Sequence, residues 1–124
     1  MGKKRVFLSF DVANDQIFKS FVLRQVEHGT VPFEVMDFSR PISSPKSEWD
    51  SRTRRSITRV HKVLLMVGDF THHAPGVLRE VAIAEKVGTP IVQVIGRKGA
   101  SPEGLLHAGR LYVWTPENIA NLLG

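Results

Sequence analysis

A glutamate lies among apolar residues in a segment whose spacing predicts an amphipathic helix. In VLREVAIAEKV, residues 77–87, a rotation of about 100° per residue places Glu80 at the centre of an apolar arc. That arc is formed by Val77, Val81, Ile83, Ala84 and Val87. A carboxylate facing a helix's own core is costly to bury, unless it lines a pocket where it keeps some water and contacts a ligand.

The residues alone leave two interpretations of this glutamate open. In the first, Glu80 lines a pocket at the edge of a sheet and contacts a bound molecule. In the second, it is a rim glutamate paired with a nearby arginine, or the true buried face of the helix is rotated so that Arg79 turns inward.

Further side chains that could bind a ligand follow two predicted strands. Ser9, Phe10 and Asp11 end the first strand, and Asp37 and Ser39 lie at the end of the second. Open parallel sheets bind ligands beyond the carboxyl ends of their strands, which is also the edge where the glutamate helix begins. We therefore expect these residues near the glutamate. Ordinary strand-end packing of Phe10, and turn capping by Asp37 and Ser39, remain alternatives.

Strand-like apolar runs alternate with helical patterns along the chain. The predicted strands are RVFLSF, FEVMDF, KVLLMVG, PIVQVIG and LYVW, and the predicted helices are DQIFKSFVLRQVEH, SPKSEWDSRTRRSITRV, the glutamate helix and TPENIANLL. Asn14, Ser44 and Thr115 are predicted helix caps, with Pro45 at the first helical position, and GRKGASPEG is a predicted loop. The alternation predicts one α/β domain over residues 1–124, a five-stranded parallel sheet with helices on both faces.

Composition narrows the classes of protein and of partner. The 124 residues are 42% hydrophobic, enough for one core, and include no cysteine for disulfides or thiolate metal sites. No apolar run could span a membrane, and the first residues lack a signal peptide's apolar region, so we expect a cytoplasmic protein without a membrane partner. A formal net charge of +5 favours anionic partners such as nucleotides, RNA or acidic proteins.

Two further patterns indicate a solvated basic surface and argue against a metal site. The basic run RTRRSITRVHK has no interleaved aromatic residue, so a solvated helix face is favoured over a nucleic-acid site. His72 and His73 are adjacent and no third ligand accompanies them, so we expect no metal site.

Four stretches together resemble a known family. The order and spacing of KRVFLSFD, EVMDFS, SEWDSRTRRSI and VLREVAIAEKVGTPIVQVIG are similar to TIR-like domains, in particular the bacterial group that includes the NAD-consuming subunits of Thoeris anti-phage systems. WTPENIANLL resembles the ending of short proteins in this group, so the resemblance covers Lys4 to Leu123. It implies a flavodoxin-like three-layer sandwich.

The resemblance also implies an activity. It indicates an NAD nucleosidase or ADP-ribosyl cyclase that cleaves the bond between nicotinamide and ribose, with NAD as substrate and no cofactor; some members cyclise the product into a signal. Glu80 matches the family's catalytic glutamate, and Ser9, Phe10 and Asp11 match a loop that lines the nucleotide site. Cationic nicotinamide leaves without a general acid, and a carboxylate stabilises the oxocarbenium ion that forms.

The sequence departs from the family at one position. Many enzymatic members carry a tryptophan four residues before the catalytic glutamate, where this chain has Gly76. Phe70 or Trp49 could supply that aromatic wall, and we include Trp49 among the expected substrate-binding residues. The alternative function is a non-catalytic TIR-like adaptor or scaffold that self-associates or binds an effector protein. For the enzyme we expect a homo-oligomer, with the basic helix of residues 46–59 as a contact.

Overall fold

The structure is a computed structural model that describes residues 2–96 and 108–124. Within these residues the strands are β1 (Lys4–Ser9), β2 (Phe33–Phe38), β3 (Lys62–Val67), β4 (Ile91–Ile95) and β5 (Leu111–Val113). The helices are α1 (Gln16–Glu27), α2 (Lys46–Thr58), α3 (Pro75–Val87) and α4 (Pro116–Leu123), and a short 3₁₀ turn covers Thr71–His73. The predicted loop GRKGASPEG lies outside the described residues except for its first glycine.

The five strands form one parallel sheet in the order β2-β1-β3-β4-β5. This is the flavodoxin-like order, and it confirms the predicted α/β fold with helices on both faces. The central strand β3 is buried along almost its whole length because helices cover both of its faces, which explains its continuous apolar sequence.

Each face of the sheet packs against a different pair of helices. Side chains alternate along β1, so Val6 and Leu8 join the core beneath α1 and α4, whereas Phe7 joins the core beneath α2 and α3. The α2/α3 side also holds the polar groups of the candidate site. Helices α1 and α4 therefore cover an apolar face, and α2 and α3 cover a mixed one.

The pairing of β2 with β1 contains an irregularity that decides which side chains reach the α2/α3 face. Val6 pairs with Val35, but the next residue of β1, Phe7, pairs with Asp37, so that Met36 is an extra residue on β2. Because side chains alternate along a strand, one extra residue moves all later side chains to the opposite face. Asp37 consequently shares the α2/α3 face with Phe7.

Of the three predicted helix caps, one is confirmed and two are wrong. Thr115 caps α4, its hydroxyl accepting from the Asn118 N–H at 3.0 Å. Helix α1 begins one residue later than predicted and its N-cap is Asp15, not Asn14. The Asn14 side chain instead donates to Asp11 Oδ2 at 2.7 Å, so it closes the β1–α1 loop.

Helix α2 also begins later than predicted. Pro45 is the N-cap and has an extended backbone, so the first helical residue is Lys46 and Ser44 does not cap the helix. The Ser44–Pro45 peptide bond is cis. Throughout the two described ranges, every helix is too short or too polar to cross a lipid bilayer.

Candidate active site

Glu80 lies on the buried face of α3, as its place in the apolar arc predicted. Its exposed fraction is 1%, and Val77 and Val81 are buried beside it. Arg79 points outward and forms an ion pair with Asp50 on α2, with 2.6 Å between Nη2 and Oδ2. The interpretation in which the helix is rotated and Arg79 turns inward is therefore wrong.

Two serines from neighbouring strands bind the same oxygen of Glu80. Ser9 Oγ, at the end of β1, and Ser39 Oγ, directly after β2, each donate to Oε1 at 2.7 Å. Ser39 reaches this side of the sheet because of the extra residue in β2. Its hydroxyl also accepts from the Phe10 N–H at 3.0 Å. Among the residues that the structure describes, no donor reaches Glu80 Oε2.

Burial is the main influence on the pKa of the Glu80 carboxyl. Loss of water raises the pKa of Glu80 to about 8, the two serine hydrogen bonds act in the opposite direction, and the nearby charge of Asp37 adds to the rise. The Asp37 carboxylate has partners of its own, since it accepts a hydrogen bond from Ser56 Oγ at 2.6 Å and forms an ion pair with Arg40 at 3.4 Å. Glu80 is thus largely protonated at neutral pH in this arrangement.

Two cavities of very different size lie near Glu80. The first has a volume of about 10 Å³, the space of one water molecule, and is bordered by Phe7, Asp37, Phe38, Arg40, Trp49, Arg52, Thr53 and Glu80. The second, which we call the carboxyl-edge cleft, has a volume of about 390 Å³ and is lined by residues 10–13, 40–42 and 74–77.

The predicted burial of Glu80 is confirmed, but the predicted opening onto a ligand-sized pocket is not present. Glu80 is about one helical turn beyond the end of the cleft's α3 wall at Val77. The serine hydrogen bonds hold its carboxyl beside the water-sized cavity instead. The cleft itself lies at the lower end of the size range of small-molecule sites and is mainly apolar.

The other expected binding residues divide between the two cavities. Trp49 is buried and borders the small cavity with Glu80. Phe10 lines the cleft while its ring belongs to the core beneath α1 and α4. Asp11 also lines the cleft, but its Oδ1 accepts from the Ala13 N–H at 3.0 Å, so the carboxylate caps its own turn.

Gly76, where the TIR-like resemblance predicts a tryptophan, has open space around it. A Cβ atom added to Gly76 would meet no atom within 4 Å, and Gly76 lines the carboxyl-edge cleft. Phe70 is 55% exposed and does not line the cleft. Of the two aromatic residues considered as substitutes, only Trp49 lies beside the glutamate.

One acidic residue at the same edge was not anticipated. Asp15 is buried, and its Oδ2 has no hydrogen-bond partner within the part of the chain that the structure describes. Its pKa is raised to about 6 by burial and then by the charges of Asp11 and Asp69. The sequence signal that could have revealed this buried acid was the presence of aspartates shortly after β1 and β3. Across residues 2–96 and 108–124, no three His, Asp or Glu side chains are grouped so as to hold a metal ion.

In comparisons with known proteins, no protein-family model and no curated protein matches the chain.

Proposed function

We propose that the protein is a TIR-like NAD hydrolase or cyclase in which Glu80 acts at the bond between nicotinamide and ribose. The observation that carries this proposal is one buried carboxyl, held by two hydroxyls, at the carboxyl edge of a flavodoxin-like sheet beside a mainly apolar cleft. Ligands of open α/β sheets bind at this edge. The cleft is sized for part of a dinucleotide, such as a nicotinamide ring and its ribose.

The chemistry requires the ionised form of Glu80. When the bond from ribose C1′ to nicotinamide breaks, its electron pair leaves with nicotinamide, which becomes neutral, and the ribose becomes an oxocarbenium ion. A nearby carboxylate stabilises that positive charge. Water then completes hydrolysis, or a nucleophile within ADP-ribose closes a ring. Because the pKa of Glu80 is about 8, kcat/KM should rise with pH toward that value.

A second candidate function is the non-catalytic adaptor or scaffold that binds an effector. It is favoured by the water-sized cavity beside Glu80, which admits no dinucleotide, and by Gly76 in the position of the family's tryptophan. In this candidate the buried carboxyl only joins β1, β2 and α3 through its two serine hydrogen bonds.

Both candidate functions include self-association. A single small domain encloses little of a dinucleotide, and a second copy could complete the wall. The exposed side of α2 carries a hollow of about 490 Å³ lined by Asp50, Ser51, Arg54, Arg55, Thr58 and Arg59. We propose this basic surface as a contact with an acidic face of another copy. Specific activity should then rise with protein concentration.

The decisive experiment is NAD cleavage by wild type and Glu80→Gln, measured as free nicotinamide over a range of protein concentrations. The amide keeps the shape of the side chain but cannot carry the charge, so the rate should fall by roughly 10²–10³. Glu85→Gln, the same change on the exposed side of α3, is the matched control and should leave the rate unchanged. A Glu80→Gln variant with wild-type turnover would remove Glu80 from catalysis. A wild type that releases no nicotinamide at any concentration would favour the adaptor.

A further inference from the structure

Ser39 connects Glu80 to the wall of the carboxyl-edge cleft. Its hydroxyl donates to Glu80 Oε1 at 2.7 Å and accepts from the Phe10 N–H at 3.0 Å. Its backbone N–H donates to Leu8 O at 2.9 Å, which fixes the chain at the end of β2. The next three residues, 40–42, form one wall of the cleft. Ser39 therefore lies directly between that wall, along the chain, and the carboxyl that its hydroxyl binds.

The same contacts keep Glu80 away from the cleft. Both hydroxyls converge on Oε1, the side chain is 1% exposed, and the cavity beside it holds about one water. With these hydrogen bonds in place, Glu80 lines no part of the cleft. The arrangement is thus a closed one, with the partners of Glu80 supplied by the protein.

We propose that Ser39 is a positioning residue whose hydroxyl holds the Glu80 carboxyl in a closed position, beside the water-sized cavity and away from the carboxyl-edge cleft. The consequence for catalysis rests on the proposed function, whereas the closed position of Glu80 does not. Ser9 supplies a second hydrogen bond of equal length, and it precedes residues 10–13, which line another part of the cleft.

Carbodiimide labelling of carboxyl groups at mildly acidic pH, read by mass spectrometry without any ligand, tests the proposal. In Ser39→Ala, labelling of Glu80 should be roughly three- to tenfold faster than in wild type, the factor that one net hydrogen bond supports. Asp15, a second buried carboxyl, is the internal control, because general unfolding would expose it as well. Ser39→Thr retains the hydroxyl and should restore slow labelling.

Ser56→Ala is the matched control variant. It removes a serine hydroxyl that donates to the neighbouring carboxylate Asp37 at 2.6 Å and does not contact Glu80. Labelling of Glu80 at the wild-type rate in Ser39→Ala, or equal acceleration in Ser56→Ala, would overturn the proposal. If Ser39→Ala does not fold, Ser39→Cys keeps a similar shape with a weaker hydrogen-bonding group, and the same comparison applies.

The activity assay separates this inference from the proposed function. If both hold, Ser39→Ala should also raise kcat/KM for NAD by a similar factor, since a larger fraction of the protein has Glu80 released. Faster labelling of Glu80 with no NAD cleavage in either protein would keep the closed position and reject the proposed function. Unchanged labelling of Glu80 alongside normal NAD cleavage would reject the closed position and keep the proposed function.

Discussion

Glu80 and Asp15, two of the buried carboxyl groups at the carboxyl edge of the sheet, have contrasting surroundings. Glu80 accepts hydrogen bonds from two hydroxyls, whereas Asp15 has an oxygen without a partner among the described residues and two negative neighbours. Yet the pKa of Glu80 rises further, to about 8, than that of Asp15, which rises to about 6. Burial is the first cause in both. The comparison shows that two good donors do not offset deep burial of a carboxylate.

The space around the two acids differs as well. A Cβ atom added to Gly68 would lie 2.7 Å from Oδ1 and 2.8 Å from Cγ of Asp15, so the chain there is packed against the acid. Gly76, on α3 one turn before Glu80, has open space around it. The Asp15 region is therefore filled by the protein itself, whereas the space around Gly76, one turn from the buried Glu80, is open.

The largest effect that we expect is on the pH dependence of stability. The folded protein keeps the Glu80 proton up to a pKa of about 8, compared with an ordinary value of 4.5, so the free energy of unfolding falls as pH rises between these values. At about 1.4 kcal/mol for each tenfold change in proton affinity, the fall is at most about 5 kcal/mol. Glu80→Gln should remove it. Urea unfolding at a series of pH values measures this, and parallel curves for the two proteins would contradict it.

Gly68→Ala should destabilise the Asp15 region. The new methyl group must displace the Asp15 side chain or the end of β3, where the Gly68 N–H donates to Thr71 Oγ1 at 2.7 Å. Overpacking of this kind lowers the free energy of unfolding by about 1–3 kcal/mol. Denaturant unfolding at neutral pH measures the change. A variant as stable as wild type would show that Asp15 moves freely, against its described packing.

Asp15→Asn should stabilise the protein at neutral pH. The substitution removes a buried charge that faces Asp11 and Asp69, and the expected gain is on the order of 1 kcal/mol after allowance for screening by solvent. The wild-type loss of stability due to Asp15 occurs between pH 3.8 and about 6, so the gain should disappear below this window. The pH series used for Glu80→Gln tests it, because the two acids act over different ranges. A neutral-pH loss of stability would indicate a partner for the Asp15 carboxylate.

The smallest effect is expected at Gly76. Alanine there has free space and a helical backbone, so Gly76→Ala should raise the free energy of unfolding by about 0.4–1 kcal/mol through the unfolded state. Thermal melting beside Gly68→Ala gives the contrast directly, with opposite signs for the same substitution. A loss of stability at Gly76 would mean that the space around this residue is not open.

The sequence by itself indicated the strands, the helices and the apolar arc of α3 in which Glu80 lies. Those features depend on periodicity, which is local: apolar residues at helical spacing bury one face of α3, and Glu80 lies on that face whatever surrounds it. Thr115 was likewise predictable, because a cap acts on its own helix. The burial of Asp15 and the first residues of α1 and α2 were not predicted, because they depend on loop geometry.

Only the tertiary structure decided which groups meet Glu80. Strict alternation along β2 would place Ser39 on the face of Phe33, beneath α1 and α4 and away from Glu80. The extra residue Met36 reverses this, and it is visible only in the pairing of β2 with β1. The closure of Glu80 by Ser9 and Ser39 follows from that pairing, because hydrogen bonds between residues 71 and 41 positions apart depend on strand register, which no local pattern fixes.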